Sequence, residues 1–161
     1  MKYLTLIRHA KSSWEHEVDD FYRPLKNSGI NDALLTSSEL GRNFTPPDMV
    51  FSSPAERAIS TCNIFVKNLR IDKSKVKTVL DLYDFGGEKV TNFIKEINNT
   101  LDNVMLFGHN HAFTEISNQL SNLKIDNLPT SGIVVMQFDI SDWKDIGNGK
   151  VISVLYPKLF K

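Results

Sequence analysis

The chain has 161 residues, of which 41% are hydrophobic and 24% are charged. This length can bury one hydrophobic core but is short for two, which predicts a single domain over residues 1–161. Nineteen Lys and Arg balance nineteen Asp and Glu. No overall charge therefore attracts the chain to nucleic acid or to an acidic membrane surface.

Three further features predict a soluble, cytoplasmic protein. The apolar run at the amino terminus reaches charged Arg8 too soon to act as a signal peptide. No apolar stretch approaches the ~20 residues needed to cross a bilayer. The single cysteine, Cys62, cannot form an internal disulfide, which suits a reducing compartment.

The pattern of apolar residues predicts strands and helices in alternation. The first half is predicted as a strand, a helix, a strand, a helix and a strand, at residues 3–7, 30–40, 49–51, 53–69 and 77–80. The second half is predicted as a helix, a strand, a helix and two strands, at residues 90–97, 104–107, 113–120, 133–138 and 151–156. This alternation predicts a three-layer α/β/α sandwich with a mostly parallel central sheet, and the last two strands are expected to pair as a hairpin at one edge.

The start of the second helix carries a capping signal. Ser53 is a favoured N-cap residue, Pro54 suits the first helical position, and Glu56 stands where a capping-box glutamate belongs. Arg57 is therefore expected in the first turn, where the helix dipole and free backbone N–H groups attract anions. A guanidinium at this position favours a phosphate site, and pairing of Arg57 with a neighbouring acidic residue is the alternative.

Two of the apolar strands end in a histidine. His9 follows Arg8 after the first strand, and His109 follows Gly108 after the strand at residues 104–107. The carboxyl ends of parallel strands share one edge of the sheet, where ligands bind. The two imidazoles are therefore expected to meet there. A single such histidine is more simply an ordinary polar residue, but two of them with an adjacent arginine favour a functional site.

Three blocks of the sequence, taken together, resemble the signatures of the histidine phosphatase superfamily. They are an Arg-His-Ala triplet at residues 8–10, the segment at residues 52–61 with its phosphoryl-binding arginine at Arg57, and a Gly-His-Asn triplet at residues 108–110. Within that family the segment at residues 8–14, with the later Arg-Pro-Leu, looks most like the small SixA-type phosphohistidine phosphatases.

The resemblance implies a phosphoglycerate mutase-like fold and a phosphatase that uses no metal ion or other cofactor. It implies His9 as the nucleophile toward phosphorus, and a neutral imidazole with a pKa of about 6.5 can attack without a separate base. The implied donors to the phosphoryl oxygens are Arg8, Arg57 and His109. Residues predicted to contact the substrate are Ser13, Arg23 and Asn110.

A general acid for the leaving group is expected in the loop after the third predicted strand. Relatives with alcohol leaving groups carry a carboxylate there. Asp84 is the first candidate and Asp81 the second. The alternative is an acidic loop that only caps the next helix.

Short connections between the predicted elements leave no stretch for a lid. An open site favours a phosphate presented by a protein, above all phosphohistidine, while small phosphate esters are the other substrate class. Two further hypotheses are a phosphate-binding module without turnover and a zinc hydrolase that uses His109, His111 and a third ligand. The zinc hypothesis gives no role to Arg8 or Arg57.

Overall fold

The computed structural model describes residues 1–161 and contains one six-stranded sheet. The strands in chain order are β1 (Lys2–Arg8), β2 (Met49–Ser52), β3 (Val76–Thr78), β4 (Asn103–Gly108), β5 (Ile133–Phe138) and β6 (Lys150–Leu155). The helices are α1 (Asn27–Gly41), α2 (Glu56–Asn68), α3 (Glu88–Lys95) and α4 (Ala112–Leu120). The strand order is β3-β2-β4-β1-β5-β6, and the first four strands are parallel. The predicted mostly parallel sheet is confirmed.

Helices cover both faces of this sheet because its central strands are apolar on both sides. In β1, Leu4 and Leu6 join a core cluster with α3 and α4, whereas Ile7 joins a second cluster with α1 and α2. In β4, Leu106 and Phe107 divide between the same two clusters. A strand buried on both faces is hydrophobic at nearly every position instead of alternating. The three-layer architecture is therefore confirmed.

The two carboxyl-terminal strands run antiparallel to each other, with β6 at the edge of the sheet, as predicted. Two predicted boundaries are wrong. Helix α2 begins at Glu56, so Pro54 precedes the helix, and the Glu56 carboxylate accepts a hydrogen bond from Ser60 and does not cap the helix. The third strand is Val76–Thr78 and passes into a 3₁₀ turn at Leu80–Leu82, where a longer strand was expected.

A close approach joins the loop after β1 to α1. Gly29 lies so near the backbone carbonyl of Lys11 that a Cβ atom at this position would overlap with it. Lys26 N–H donates to the same carbonyl at 2.9 Å. The loop that begins at His9 is thereby held against the sheet. None of the helices combines the length and the apolar character needed to span a membrane.

Candidate active site

His9 and His109 lie side by side at the carboxyl edge of the sheet. β1 and β4 are parallel neighbours with Arg8 opposite Gly108, and His9 N–H donates to the Gly108 carbonyl at 3.0 Å. Both side chains are buried, and their ring centroids are 5.3 Å apart. The parallel sheet thus brings together two histidines that are 100 positions apart, as expected from the strand ends.

The hydrogen bond of His9 indicates which ring nitrogen is free. Nδ1 lies 2.7 Å from the Ala10 carbonyl oxygen, which only accepts hydrogen bonds. Nδ1 therefore carries the hydrogen, and Nε2 keeps its lone pair. Burial lowers the pKa of His9 to about 4; the Ala10 bond opposes this shift and the Arg57 charge reinforces it. The imidazole is neutral at pH 7.

The Arg57 guanidinium is buried beside His9, with only 2% of its side chain exposed. Its terminal nitrogens both bind Asp20: Nη1 donates to the backbone carbonyl at 2.6 Å and Nη2 to the carboxylate at 2.9 Å. Its Nε points at His9 Nε2 from 3.4 Å. The end of the guanidinium fork is therefore held by Asp20, and its side edge faces the lone pair of His9. This edge is not bound by Asp20, and an anion located there could replace the long contact to His9 Nε2 and accept from both of its N–H groups.

Asp20 is a site residue that sequence reasoning missed. Its carboxylate also accepts hydrogen bonds from Tyr83 Oη at 2.6 Å and Arg23 Nε at 3.1 Å. Partial burial alone would raise the pKa of Asp20, but the bonds from Tyr83 and Arg57 lower it to about 2. Asp20 is thus a permanent anion that positions Arg57. Its partners Arg57 and Tyr83 are far away in sequence, so no local pattern pointed to it.

His109 and Arg8 complete the pocket with polar atoms that have no partner in the protein. His109 Nε2 lies 2.8 Å from Ser53 Oγ, whereas its Nδ1 is buried without a hydrogen bond. Arg8 Nη1 donates to the Leu128 carbonyl at 2.8 Å, and its Nε is also buried and unpaired. An unpaired buried polar group costs about 1–3 kcal/mol. Arg8 Nε always carries a hydrogen, and His109 Nδ1 carries one in the tautomer in which Ser53 donates to Nε2, so that an anion in the pocket would give both groups an acceptor.

Charge and burial make this pocket electropositive. Burial, reinforced by the positive charges of its neighbours, lowers the pKa of His109 to about 3. Burial and the nearby Arg57 charge also lower the pKa of Arg8. The pocket therefore disfavours extra protons until a negative charge enters it. Without an anion His109 is therefore a neutral imidazole at pH 7.

The three predicted substrate contacts have different surroundings. Arg23 is buried between Asp20 and Ser12, to whose Oγ its Nη1 donates at 2.6 Å. Ser13 is buried in the loop after β1, and its Oγ accepts from Glu15 N–H. Asn110 uses its full hydrogen-bonding capacity inside the protein. We therefore assign Asn110 a bracing role, through contacts with Thr114, Asn127 and the Leu128 carbonyl that binds Arg8.

The candidate general acids lie in a loop that serves the fold. Both oxygens of Asp84 accept hydrogen bonds from backbone N–H groups at Gly86, Gly87 and Val90. No hydrogen bond connects Asp84 to either histidine, and its acid role stays a prediction that these contacts do not favour. Asp81 is exposed. The same loop contributes Tyr83 and Phe85, whose rings pack against His109.

The zinc hypothesis is not supported by the position of His111. Its side chain is exposed and lies 4.0 Å from Glu115 on α4, whereas His109 is buried in the pocket. The two imidazoles of the His-x-His motif therefore do not share a ligand site. A separate cavity of about 510 Å³ lies at the opposite, amino-terminal ends of β1 and β4, between Tyr3, Phe44 and Asn103. It contains none of the residues predicted for phosphate chemistry.

Comparison with known proteins agrees with the motifs. Residues 4–86 match the model of the histidine phosphatase superfamily, branch 1. The chain is also 30% identical over 156 residues to the uncharacterised protein Rv1276c of Mycobacterium tuberculosis, which covers 89% of this chain and 93% of that protein. The chain belongs to the histidine phosphatase superfamily, and this membership supports phosphatase activity.

Solved structures share the fold over nearly the whole chain. A tungstate complex of the protein histidine phosphatase SixA superposes with a TM-score of 0.83 at 20% identity, covering 99% of both chains. A SixA-type phosphohistidine phosphatase structure from Agrobacterium tumefaciens superposes with a TM-score of 0.80 at 24% identity, covering 97% of this chain and 98% of that one. The predicted phosphoglycerate mutase-like fold, in its small SixA form, is therefore confirmed.

Proposed function

We propose that this chain is a metal-independent phosphatase that moves a phosphoryl group from a phosphohistidine of a protein to His9 and then to water. In this proposal residues 1–161 act as one cytoplasmic histidine phosphatase domain. The observation that carries the proposal is the position of the His9 Nε2 lone pair. This lone pair faces the side edge of the Arg57 guanidinium, the edge that Asp20 does not bind, next to the unpaired nitrogens of Arg8 and His109.

In the first step, the lone pair of His9 Nε2 attacks phosphorus. The bond between phosphorus and the substrate nitrogen breaks, and its electron pair returns to that nitrogen. Negative charge spreads over three phosphoryl oxygens during the transfer. Arg57, Arg8 and His109 are proposed to donate to these oxygens, and each such donor is typically worth about 3–4 kcal/mol. The buried Arg57 and the half-buried Arg8 supply the positive charge that a metal ion supplies in other phosphatases.

The choice of phosphohistidine follows from the missing acid. An alkoxide leaving group needs a proton, but Asp20 is ionised and Asp84 accepts backbone hydrogen bonds. A phosphorylated imidazole that is protonated on its other nitrogen leaves as a neutral ring. No proton has to be delivered by the enzyme. The pocket therefore fits a nitrogen leaving group better than an alcohol.

In the second step, water attacks the phosphorus of phosphorylated His9. The bond to Nε2 breaks, its electron pair returns to the ring, and the water proton goes to the phosphate product. Ala10 holds the Nδ1 hydrogen throughout, so His9 leaves as a neutral imidazole in its original tautomer. The nucleophile is thereby regenerated without any additional acid or base.

The test is phosphate release from a synthetic phosphohistidine peptide in the presence of EDTA, together with mass spectrometry after an alkaline quench. Wild-type protein is expected to release phosphate and to carry a transient phosphoryl group on His9. The His9→Ala variant is expected to lose both, while a matched His16→Ala change in an exposed loop leaves turnover unchanged. Near-normal turnover by His9→Ala would contradict the proposal. Faster turnover of p-nitrophenyl phosphate than of the peptide would favour small esters.

A further inference from the structure

Large aromatic side chains are exposed around the mouth of the proposed phosphoryl site. Trp14 is 74% exposed, Tyr22 61% and Phe85 45%. Two of them contact pocket residues directly: Trp14 stacks on the Arg23 guanidinium at 3.5 Å, and Phe85 packs on His109 with ring centroids 5.1 Å apart. Tyr22 reaches the pocket through neighbouring rings. Exposed aromatic residues grouped at one place are typical of protein interfaces.

Unpaired acidic residues lie beside these aromatic rings. Glu15, Glu17 and Asp19 are exposed, and none of their carboxylates forms a salt bridge or a hydrogen bond in the structure. The segment that holds them is anchored at both ends, by Trp14 on Arg23 and by Asp20 on Arg57. A connection this short keeps the three carboxylates near the phosphoryl site, since a residue spans at most ~3.6 Å.

This arrangement has an electrostatic consequence. A phosphate carries negative charge, so acidic residues at the entrance repel a free phosphate compound. The segment from Ser12 to Tyr22 contains no lysine or arginine; of the two basic residues that flank it, Arg23 is bound to Asp20 and Ser12, and Lys11 is the one exposed positive charge. The repulsion turns into attraction when the phosphate is attached to a surface that carries positive charges around it. The entrance therefore favours a phosphoryl group that is surrounded by positive charges over a free phosphate compound that lacks them.

We propose that the active-site rim, formed by Trp14, Tyr22 and Phe85 with Glu15, Glu17 and Asp19, docks a protein segment in which basic and apolar residues flank the phosphohistidine. This inference rests on the proposed function and specifies its substrate. The aromatic rings provide rigid contact area at low entropic cost. The carboxylates pair with lysine or arginine of the partner and hold back acidic partners and small phosphate esters.

The experiment uses two synthetic peptides with one central phosphohistidine, flanked by lysine and leucine in one and by glutamate and leucine in the other. Free phosphohistidine is the reference without flanks. At low salt the kcat/KM of wild-type protein is expected to be about tenfold higher for the lysine peptide than for the glutamate peptide. The ratio is expected to shrink several-fold in ~0.5 M salt, where exposed charges are screened. Equal values for both peptides would overturn the proposal.

Variants locate the preference on the rim. Glu15→Gln with Glu17→Gln is expected to reduce the peptide ratio by about threefold or more, and to raise kcat/KM for free phosphohistidine because the repulsion at the entrance is removed. The control pair Glu96→Gln with Asp139→Asn removes the same charge at exposed positions outside the rim and is expected to leave the ratio intact. Tyr22→Ala is expected to raise KM for both peptides but not for free phosphohistidine. A ratio that falls equally in the control pair would refute a role of the rim.

A binding measurement separates this inference from the proposed function. The same two peptides are made with phosphoryltriazolylalanine, a stable analogue of phosphohistidine, and their affinities are measured by calorimetry. Absence of turnover together with tighter binding of the lysine peptide would refute the proposed phosphatase function and support the rim as a docking surface. Normal turnover of free phosphohistidine with equal binding of both peptides would refute the role of the rim and support the phosphatase function. Absence of both turnover and binding would overturn both.

Discussion

The contact between Asp20 and Arg57 leads to the sharpest prediction, the effect of Asp20→Asn. The asparagine keeps one oxygen acceptor but loses the charge that faces the buried guanidinium. Breaking a buried ion pair costs about 3–5 kcal/mol, and a side chain that is 41% exposed retains only part of this energy because water screens it. We expect a loss of about 2 kcal/mol in the free energy of unfolding at pH 7, or about 4–8 °C in Tm.

The same variant tests whether the Asp20 carboxylate positions Arg57 for anion binding or competes with the anion for Arg57. If Asp20 holds the end of the guanidinium, the side edge loses its alignment with His9 in Asp20→Asn, and vanadate is expected to bind roughly tenfold more weakly. Urea denaturation measures the stability, and calorimetry measures vanadate binding. Asp139→Asn is the matched control, since its exposed carboxylate forms no hydrogen bond in the structure and lies outside the rim. Tighter vanadate binding in Asp20→Asn would show that the carboxylate competes with the anion, and would refute the positioning role.

Two further predictions concern pH and the loop of the candidate acids. The lowered pKa values of His9 and His109 mean that the unfolded chain binds more protons below pH ~6.5. The free energy of unfolding should therefore decrease as the pH is lowered from ~6.5 to ~4, by about 3 kcal/mol for His9 alone. Urea denaturation of wild type and His9→Gln at several pH values checks this. A free energy of unfolding that does not change with pH in the wild-type protein would contradict it. Asp84→Ala should cost about 1 kcal/mol of stability because α3 loses its cap, with equal effects on turnover of phosphohistidine and p-nitrophenyl phosphate; a selective loss with the ester would restore Asp84 as the acid.

Much of the fold could be predicted from the sequence because its signals are local. Strands such as β1 and β4 are short apolar runs that end abruptly in charged or polar residues, and helix α4 shows apolar residues at helical spacing. The errors lie at boundaries. The capping signal at Ser53 predicts the start of α2 at that residue, but the Ser53 hydroxyl accepts from Ala55 N–H in a turn before the helix and faces His109. A good N-cap residue can also serve a turn or a neighbouring side chain, and the sequence does not distinguish these uses.

Contacts between distant loops could not be predicted in this way. The bonds of Asp20 to Arg57 and Tyr83 join residues 37 and 63 positions apart. Likewise, the Leu128 carbonyl that holds Arg8 is 120 positions away from it. Such bonds depend on how loops pack above the sheet, and any of several acidic residues in residues 15–20 could have served equally by sequence. Likewise, the sequence does not show whether the Asp84 carboxylate faces the pocket or accepts hydrogen bonds from its own loop, as it does in the structure.

Local sequence patterns are sufficient to identify the chemical groups of the site and the edge of the sheet where they lie. An arginine and a histidine at the end of one buried strand, and a histidine at the end of another, meet because parallel strands share their carboxyl edge. Three properties of the site become visible only in the tertiary structure. They are the nitrogen of His9 that keeps its lone pair, the edge of Arg57 that faces this nitrogen, and the carboxylate of Asp20 that is held as an anion. These properties arise from hydrogen bonds and burial, which depend on three-dimensional packing and have no counterpart in local sequence patterns.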